Sequence, residues 1–237
     1  MVVILLKRNF VRFLRIFSTM GILSSSIARK VAMALSALFL VFFLIIHLTV
    51  NVISVFSEEV YNTASHFMGT NPLIQFAMQP ALFFGVVFHF VMGFILEIKN
   101  RGARQINYVK NKAGEYSSWM SRNMLYSGLV ILAFLVLHFI DFWFPEINHK
   151  YIAVLPEDPT RYFEELQVKF ISPYRVVAYV LAFVFLALHL LHGFQSSFQS
   201  MGMNNRYTKS VKNFGKIYAI LIPLGFIFIA LFHYFNQ

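Results

Sequence analysis

Five of the eight histidines in this chain, His47, His89, His138, His189 and His192, lie inside long apolar runs. A bilayer penalises an ionisable side chain at depth, so such a residue marks a function by default. The competing reading is a histidine hydrogen-bonded between helices, yet four consecutive runs each carry at least one. A neutral imidazole offers a nitrogen lone pair to a metal. Two facing rings suit six-coordinate haem iron, and a helix bundle is the usual place for such a site. Zinc fits less well: it takes about four ligands, carboxylates are scarce in these runs and the chain has no cysteine. The lack of cysteine also excludes disulfides, covalent c-type haem attachment and cysteine-held iron–sulfur clusters within this chain.

The runs that carry these residues define the architecture. Of the 237 residues, 58% are hydrophobic and 13% charged, whereas a water-soluble domain has about 45–50% and 25%. The expected fold is an all-α integral membrane protein with five transmembrane helices in a haem-binding bundle. Each span needs about 20 apolar residues. The expected spans are 28–56, 73–97, 122–144, 173–198 and 212–235, within a membrane domain over 28–237. Pro72, Pro173 and the loop "MGMNNRYTKS" mark boundaries; Pro80 and Pro223 fall inside spans and are expected to kink them. Residues 1–27 form a basic segment with Arg8, Arg12 and Arg15 at helical spacing. It reads either as an interfacial helix or as a leader, with Met20 available as a later start.

Positive charge alternates along the chain. The segment through Lys30 has six Lys and Arg, the 57–72 connection none, the 98–122 connection six, the 145–172 connection three against five acidic residues, and the 199–216 region four. This places the N-terminus inside and the C-terminus outside. The net charge of +10 is therefore a topological signal, and nucleic acid is not an expected partner. Trp119, Trp143, Tyr174 and Tyr234 sit near span ends, as interfacial aromatics do.

The alternation of direction fixes the depth of each histidine. His47 lies nine residues before Phe56 and His138 five before Trp143, both near outer ends. His89 lies eight residues before Glu97 and His189 nine before Phe198, both near inner ends. The expected levels are thus His47 with His138, outer, and His89 with His189, inner, separated by roughly 10 Å. "VFHFVMGF" and "ALHLLHGF" both place a glycine, Gly93 or Gly193, four residues after a histidine. Positions four apart share a helix face, and a glycine there lets a flat porphyrin approach the backbone. That shared pattern selects His189 over His192 as ligand. His192 is left to bond a haem propionate or a neighbouring helix. Two b-type haems stacked this way form an electron wire across the membrane.

The stretches "FLIIHLTVNVISVFSEEVYNTASHFM", "VFHFVMGF", "LVLHFIDFW" and "ALHLLHGFQSSFQSMGMNNRYTKS" resemble the cytochrome b membrane-anchor subunit of succinate dehydrogenase and fumarate reductase (respiratory complex II), in its bacterial single-chain, five-helix, di-haem b558 form. The resemblance runs from about Ser24 to the C-terminus. It implies two haem b groups, the outer held by His47 and His138 and the inner by His89 and His189. It also implies a flavoprotein subunit and an iron–sulfur subunit docked on the cytoplasmic face, a quinone, usually menaquinone, reacting near the outer haem, and residence in the bacterial cytoplasmic membrane. Dicarboxylate chemistry then belongs to the partner subunits, this chain carries electrons in the respiratory chain and the tricarboxylic acid cycle, and the whole complex can form a higher oligomer.

Some fumarate reductases of this type carry a glutamate two residues before the fourth ligand, where this chain has Ala187. The carboxylates expected in or at the ends of the spans are Glu97 and Asp141, which favours succinate oxidation with protons exchanged outside. Asp141, His66, Glu58 and Glu59 are candidates for the quinone pocket, each against an ordinary loop or helix-end role. Arg29, Lys30 and the preceding "SSS" are candidates for inner haem propionates, against a helix-end role. The nearest alternative is the cytochrome b anchor of a hydrogenase or formate dehydrogenase. A proton-coupled transporter with a histidine relay would show internal repeats and acidic partners. A histidine-box oxygenase would cluster its histidines near one surface.

Overall fold

The computed structural model describes residues 25–102, 124–202 and 206–237. Arg8, Arg12, Arg15 and Trp119 lie outside the described residues, as does most of the basic connection before the third span. The described residues are mostly helical, with no strand among them. In an apolar solvent each backbone donor must be satisfied within its own segment, which long helices achieve.

Helix α1, Ser26–Ile53, starts at Ser25, whose hydroxyl accepts from the amides of Ile27 (3.2 Å) and Ala28 (3.5 Å). Ser25 of the "SSS" stretch is therefore a helix cap. Helix α2, Glu58–Thr70, is capped by Ser57 and has Glu58 and Glu59 in its first turn, where negative charge complements the exposed amides. Asn71 then accepts from the amides of Leu73 and Ile74 and starts α3. Helix α3 opens with a π-helical turn, Ile74–Met78, and continues as Gln79–Gly102. The wide turn lies directly ahead of Pro80, which lacks a donor.

Helix α4 begins as Met124–His138 and runs on, through two π-helical turns, to Ile152. This exceeds the expected end at residue 144. Pro145 falls in the first turn after a π-helical turn, where its missing donor is tolerated, and Glu146 and Lys150 form an ion pair one turn apart along the helix. Glu146 thus joins Glu97 and Asp141 among the carboxylates of the spans. The acidic connections expected as loops are also largely helical. Helix α5, Arg161–Phe170, buries Leu166 and Phe170 on one face and Arg161 away from it, and its Phe163 amide donates to Asn62 of α2 at 2.9 Å. Helix α6, Pro173–Ser200, has proline in its first turn, and α7, Thr208–Phe235, continues through Pro223.

Five of these helices are long and apolar enough to cross a membrane: Ser26–Ile53, Ile74–Asn100, Met124–Ile152, Pro173–Ser200 and Thr208–Phe235. They mark a multi-pass membrane protein. Four of them, α1, α3, α4 and α6, form a ring in which α1 adjoins α3 and α6, and α4 adjoins α6 and α3. Helix α7 covers α1 and α6 from outside the ring. Neighbours in the ring run antiparallel, as Ser36 with His89 and Ser127 with His189 require. One end of the bundle therefore gathers Lys30, Lys99 and Lys209, and the other gathers α2 and α5.

The densest packing lies between α6 and α7, where Phe183 stacks on Phe226 at 5.3 Å and Phe194 meets Tyr218 at 5.6 Å. Ala219 and Ala230 are sealed there, and small residues allow close approach. By contrast Phe42, Phe84, Leu181 and Leu221 are each more than half exposed, as lipid-facing residues would be. A side chain added at Gly215 would collide with the buried ring of Phe194. We expect Gly215→Ala to destabilise the bundle by about 1–3 kcal/mol, read as a lower thermal midpoint in detergent, whereas Gly202→Ser meets no atom within 4 Å of a Cβ and should cost only the backbone strain of its positive φ, 75°.

Candidate functional site

The ring of four helices is where the histidines meet. His47 on α1 and His138 on α4 face each other across one diagonal, with ring centroids 5.7 Å apart and planes at 88°. His89 on α3 and His189 on α6 face each other across the other diagonal, at 6.3 Å and 68°. Both expected pairs are brought together. Each ring is half-buried. In all four, Nε2 makes no hydrogen bond among the described residues.

The spacing is that of two ligands on one metal. Metal–imidazole bonds of about 2 Å on opposite sides, with roughly 1 Å from nitrogen to ring centre, separate the centroids by about 6 Å. Among the described residues, no group of three or more His, Asp or Glu could hold a bare metal ion. A pair of imidazoles with no third donor is instead the axial set of a six-coordinate porphyrin iron, so the residues present fit haem.

The opposite ring edges differ between the two pairs. His89 Nδ1 lies 3.2 Å from Ser36 Oγ on α1, and His189 Nδ1 lies 3.1 Å from Ser127 Oγ on α4. Each serine hydroxyl also donates to a carbonyl three residues earlier, Met33 or Met124, at 2.9 Å. The seryl proton being used there, the oxygen accepts, and the proton shared with histidine belongs to Nδ1. Nε2 then keeps its lone pair. At the other level, His47 Nδ1 has only a 3.4 Å contact with Asn51, too long to fix a tautomer, and His138 Nδ1 is buried without a partner among the described residues. Phe43 and Phe134, four residues before these two histidines, stack on them at 5.2 and 5.7 Å.

Serines give a ruler for depth. Ser36 touches His89 yet lies eleven residues before His47 on the same helix, and Ser127 stands likewise to His189 and His138. At 1.5 Å per residue the levels are about 16 Å apart. This corrects the roughly 10 Å drawn from sequence, which took span ends as reference points; α3 and α4 extend beyond those ends.

The remaining candidates separate. Methyl groups of Met33 and Met124 lie 3.5 Å from where a Cβ would stand at Gly93 and Gly193, so both glycine faces meet a flexible side chain. His192 is half-buried and has no hydrogen bond among the described residues. His233 is 1% exposed and donates Nε2–H to Ser54 at 2.9 Å, while Ser54 donates to Asn51. It ties α7 to α1, with the nitrogen a ligand would need already used. Glu58, Glu59 and His66 line an open cleft of about 900 Å3 together with Asn62, Glu157 and Thr160. His66 Nε2 donates there to the Asp158 carbonyl at 2.9 Å.

Asp141 is not part of that cleft. It is fully buried, with Arg175 Nη2 at 2.9 Å, Arg175 Nε donating at 3.0 Å and Tyr179 OH donating at 2.9 Å. A second ionic cluster, missed in the sequence, joins α5 to the end of α4: Arg161 pairs with Glu146 and with Glu165 at 2.8 Å, and Tyr162 donates to Glu146 at 2.9 Å. Burial works against the charged form of Arg161, but hydrogen bonds to the two carboxylates outweigh it and push its pKa above the ordinary value. Burial, reinforced by the Glu146 charge, pushes Tyr162 up as well, so both stay protonated and bonded at all ordinary pH. The signal was available as alternating charge at four-residue spacing, Arg161 with Glu165 and Glu146 with Lys150.

No family model matches the chain, and no curated protein or solved structure matches it. Removing the base of the buried pair leaves a sealed carboxylate uncompensated, which costs about 3–5 kcal/mol. Because Arg175 keeps some solvent contact, we expect Arg175→Ala to cost nearer the lower figure, measured as a fall in thermal midpoint. Arg175→Lys should recover part of it.

Proposed function

We propose that this chain is a membrane-anchor cytochrome b subunit, carrying two b haems between an iron–sulfur partner subunit and a membrane quinone. The observation that supports it is the pair of crossed diagonals: four helices each contribute one imidazole, and the rings meet two by two at the spacing of a shared metal. His47 and His138 would hold one haem, His89 and His189 the other. Haem bound there supplies reversible one-electron chemistry of iron.

The residues of the chain do the rest. The four imidazoles ligate, the apolar helices exclude water, and about 16 Å of bundle separates two fixed positions. The basic end then faces the cytoplasm and receives the iron–sulfur subunit, with a flavoprotein beyond it. Our reading is complex II, succinate:quinone oxidoreductase or fumarate reductase, in a bacterial cytoplasmic membrane, with menaquinone as the quinone. Glu58, Glu59 and His66 lie at the far end, in an open polar cleft suited to proton exchange with a quinone headgroup. Asp141 is withdrawn as a quinone ligand, because Arg175 and Tyr179 occupy it. Among the described residues no carboxylate stands at the level of Ala187, between the two histidine pairs, so proton exchange is assigned to that far end.

The purified protein should give two haem b per chain in a pyridine haemochrome assay. His47→Ala and His138→Ala should each remove the same one haem and keep the other; His89→Ala and His189→Ala should remove the second. His192→Ala should retain both. Absence of haem from the wild type, or equal loss in His192→Ala and His189→Ala, would count against the assignment.

A further inference from the structure

Two of the four ring histidines are held by serines, and the two serines are related by a repeat. Met33, Ser36, Phe43 and His47 on α1 recur at the same spacing as Met124, Ser127, Phe134 and His138 on α4. Each serine lies three residues after its methionine and eleven before its histidine. Helices α3 and α6 repeat the other half, His89 with Gly93 and His189 with Gly193. The contacts repeat too. Ser36 meets His89 and Met33 covers Gly93; Ser127 meets His189 and Met124 covers Gly193. Two antiparallel helix pairs, α1 with α3 and α4 with α6, are therefore equivalent halves of one site.

We propose that Ser36 and Ser127 are positioning residues for the His89 and His189 ligands. Each hydroxyl donates to its own helix at 2.9 Å and accepts the Nδ1 proton of the histidine across the interface. This locks the ring orientation and the tautomer, so that both Nε2 lone pairs point into the space between α3 and α6. Second partners of this kind orient a metal-bound histidine and raise its basicity. A more basic ligand favours the oxidised metal. The His47 and His138 rings lack an equivalent acceptor, so the effect is confined to one level. The inference rests on the haem reading and adds residues that set how one haem is held.

The test is a redox titration of the purified full-length protein in its native complex, followed optically and by electron paramagnetic resonance, with haems assigned through the His47→Ala and His89→Ala variants. Ser36→Ala and Ser127→Ala should each raise the midpoint potential of the His89/His189 haem and shift its largest g-value, leaving the other haem at its wild-type values. The double variant should shift further or lose that haem alone. Ser36→Thr and Ser127→Thr keep the hydroxyl and should stay close to wild type. If the alanine variants do not accumulate, Ser36→Thr against Ser36→Val makes the same comparison at constant shape. The proposal is overturned if alanine or valine leaves the His89/His189 haem unchanged, if the other haem shifts equally, or if threonine shifts as far as alanine. A wild-type protein without haem would instead overturn the reading on which it rests.

Discussion

A neutral imidazole buried among helices has two nitrogens to place, and the second one governs this structure. Where Nε2 is bonded to protein, as when His233 gives its Nε2–H to Ser54, the ring is a tether. Where Nδ1 is bonded and Nε2 is not, the ring keeps a nitrogen lone pair that no protein group uses. His89 and His189 are of the second kind, and they face each other across the bundle at 6.3 Å. Neither Nε2 has a partner among the described residues, and two such atoms on opposite helices suit one group held between them.

The ring of α1, α3, α4 and α6 exists to make those crossings. Helix α7 carries none of the four facing histidines and closes the outside of the ring, tied by Tyr218 to the Val41 carbonyl at 2.6 Å and by His233 to Ser54. The far end is stiffened differently. There α2 and α5 lie over the helix ends, and two ionic clusters, Asp141 with Arg175 and Glu146 with Arg161 and Lys150, hold α4 to α6 and α5. The buried charge pairs lie in that half, beside an apolar cluster of Tyr61, Leu166, Phe170 and Tyr179, and the His47 and His138 rings sit close to it.

The five spans, the pairing of histidines and the selection of His189 over His192 as the facing ring were legible from hydropathy, charge alternation and the glycine echo. Boundaries were less so. Pro145 and the charges after it read as a loop, because a proline at the end of an apolar run is an ordinary stop signal, and the four-residue spacing of Glu146 and Lys150 was the weaker cue. Glu58, Glu59, Arg161 and Glu165 read as loop charges, since the connections that carry them are short and polar and their helices are fixed by packing against elements distant in sequence, as Asn62 is to Phe163. The serines were invisible for the same reason: Ser36 and His89 are 53 residues apart. The Met–Ser–Phe–His repeat was present in the sequence all along, but it gains meaning only when Ser36 and Ser127 are seen to touch equivalent rings.

On the proposed function each diagonal clamps one macrocycle. An experimental density map of the natively purified protein would decide it. Two flat densities are expected, about 16 Å apart, one joining Nε2 of His89 to Nε2 of His189 and one joining the corresponding atoms of His47 and His138. Rings that contact each other or other side chains, with no planar density between them, would contradict it.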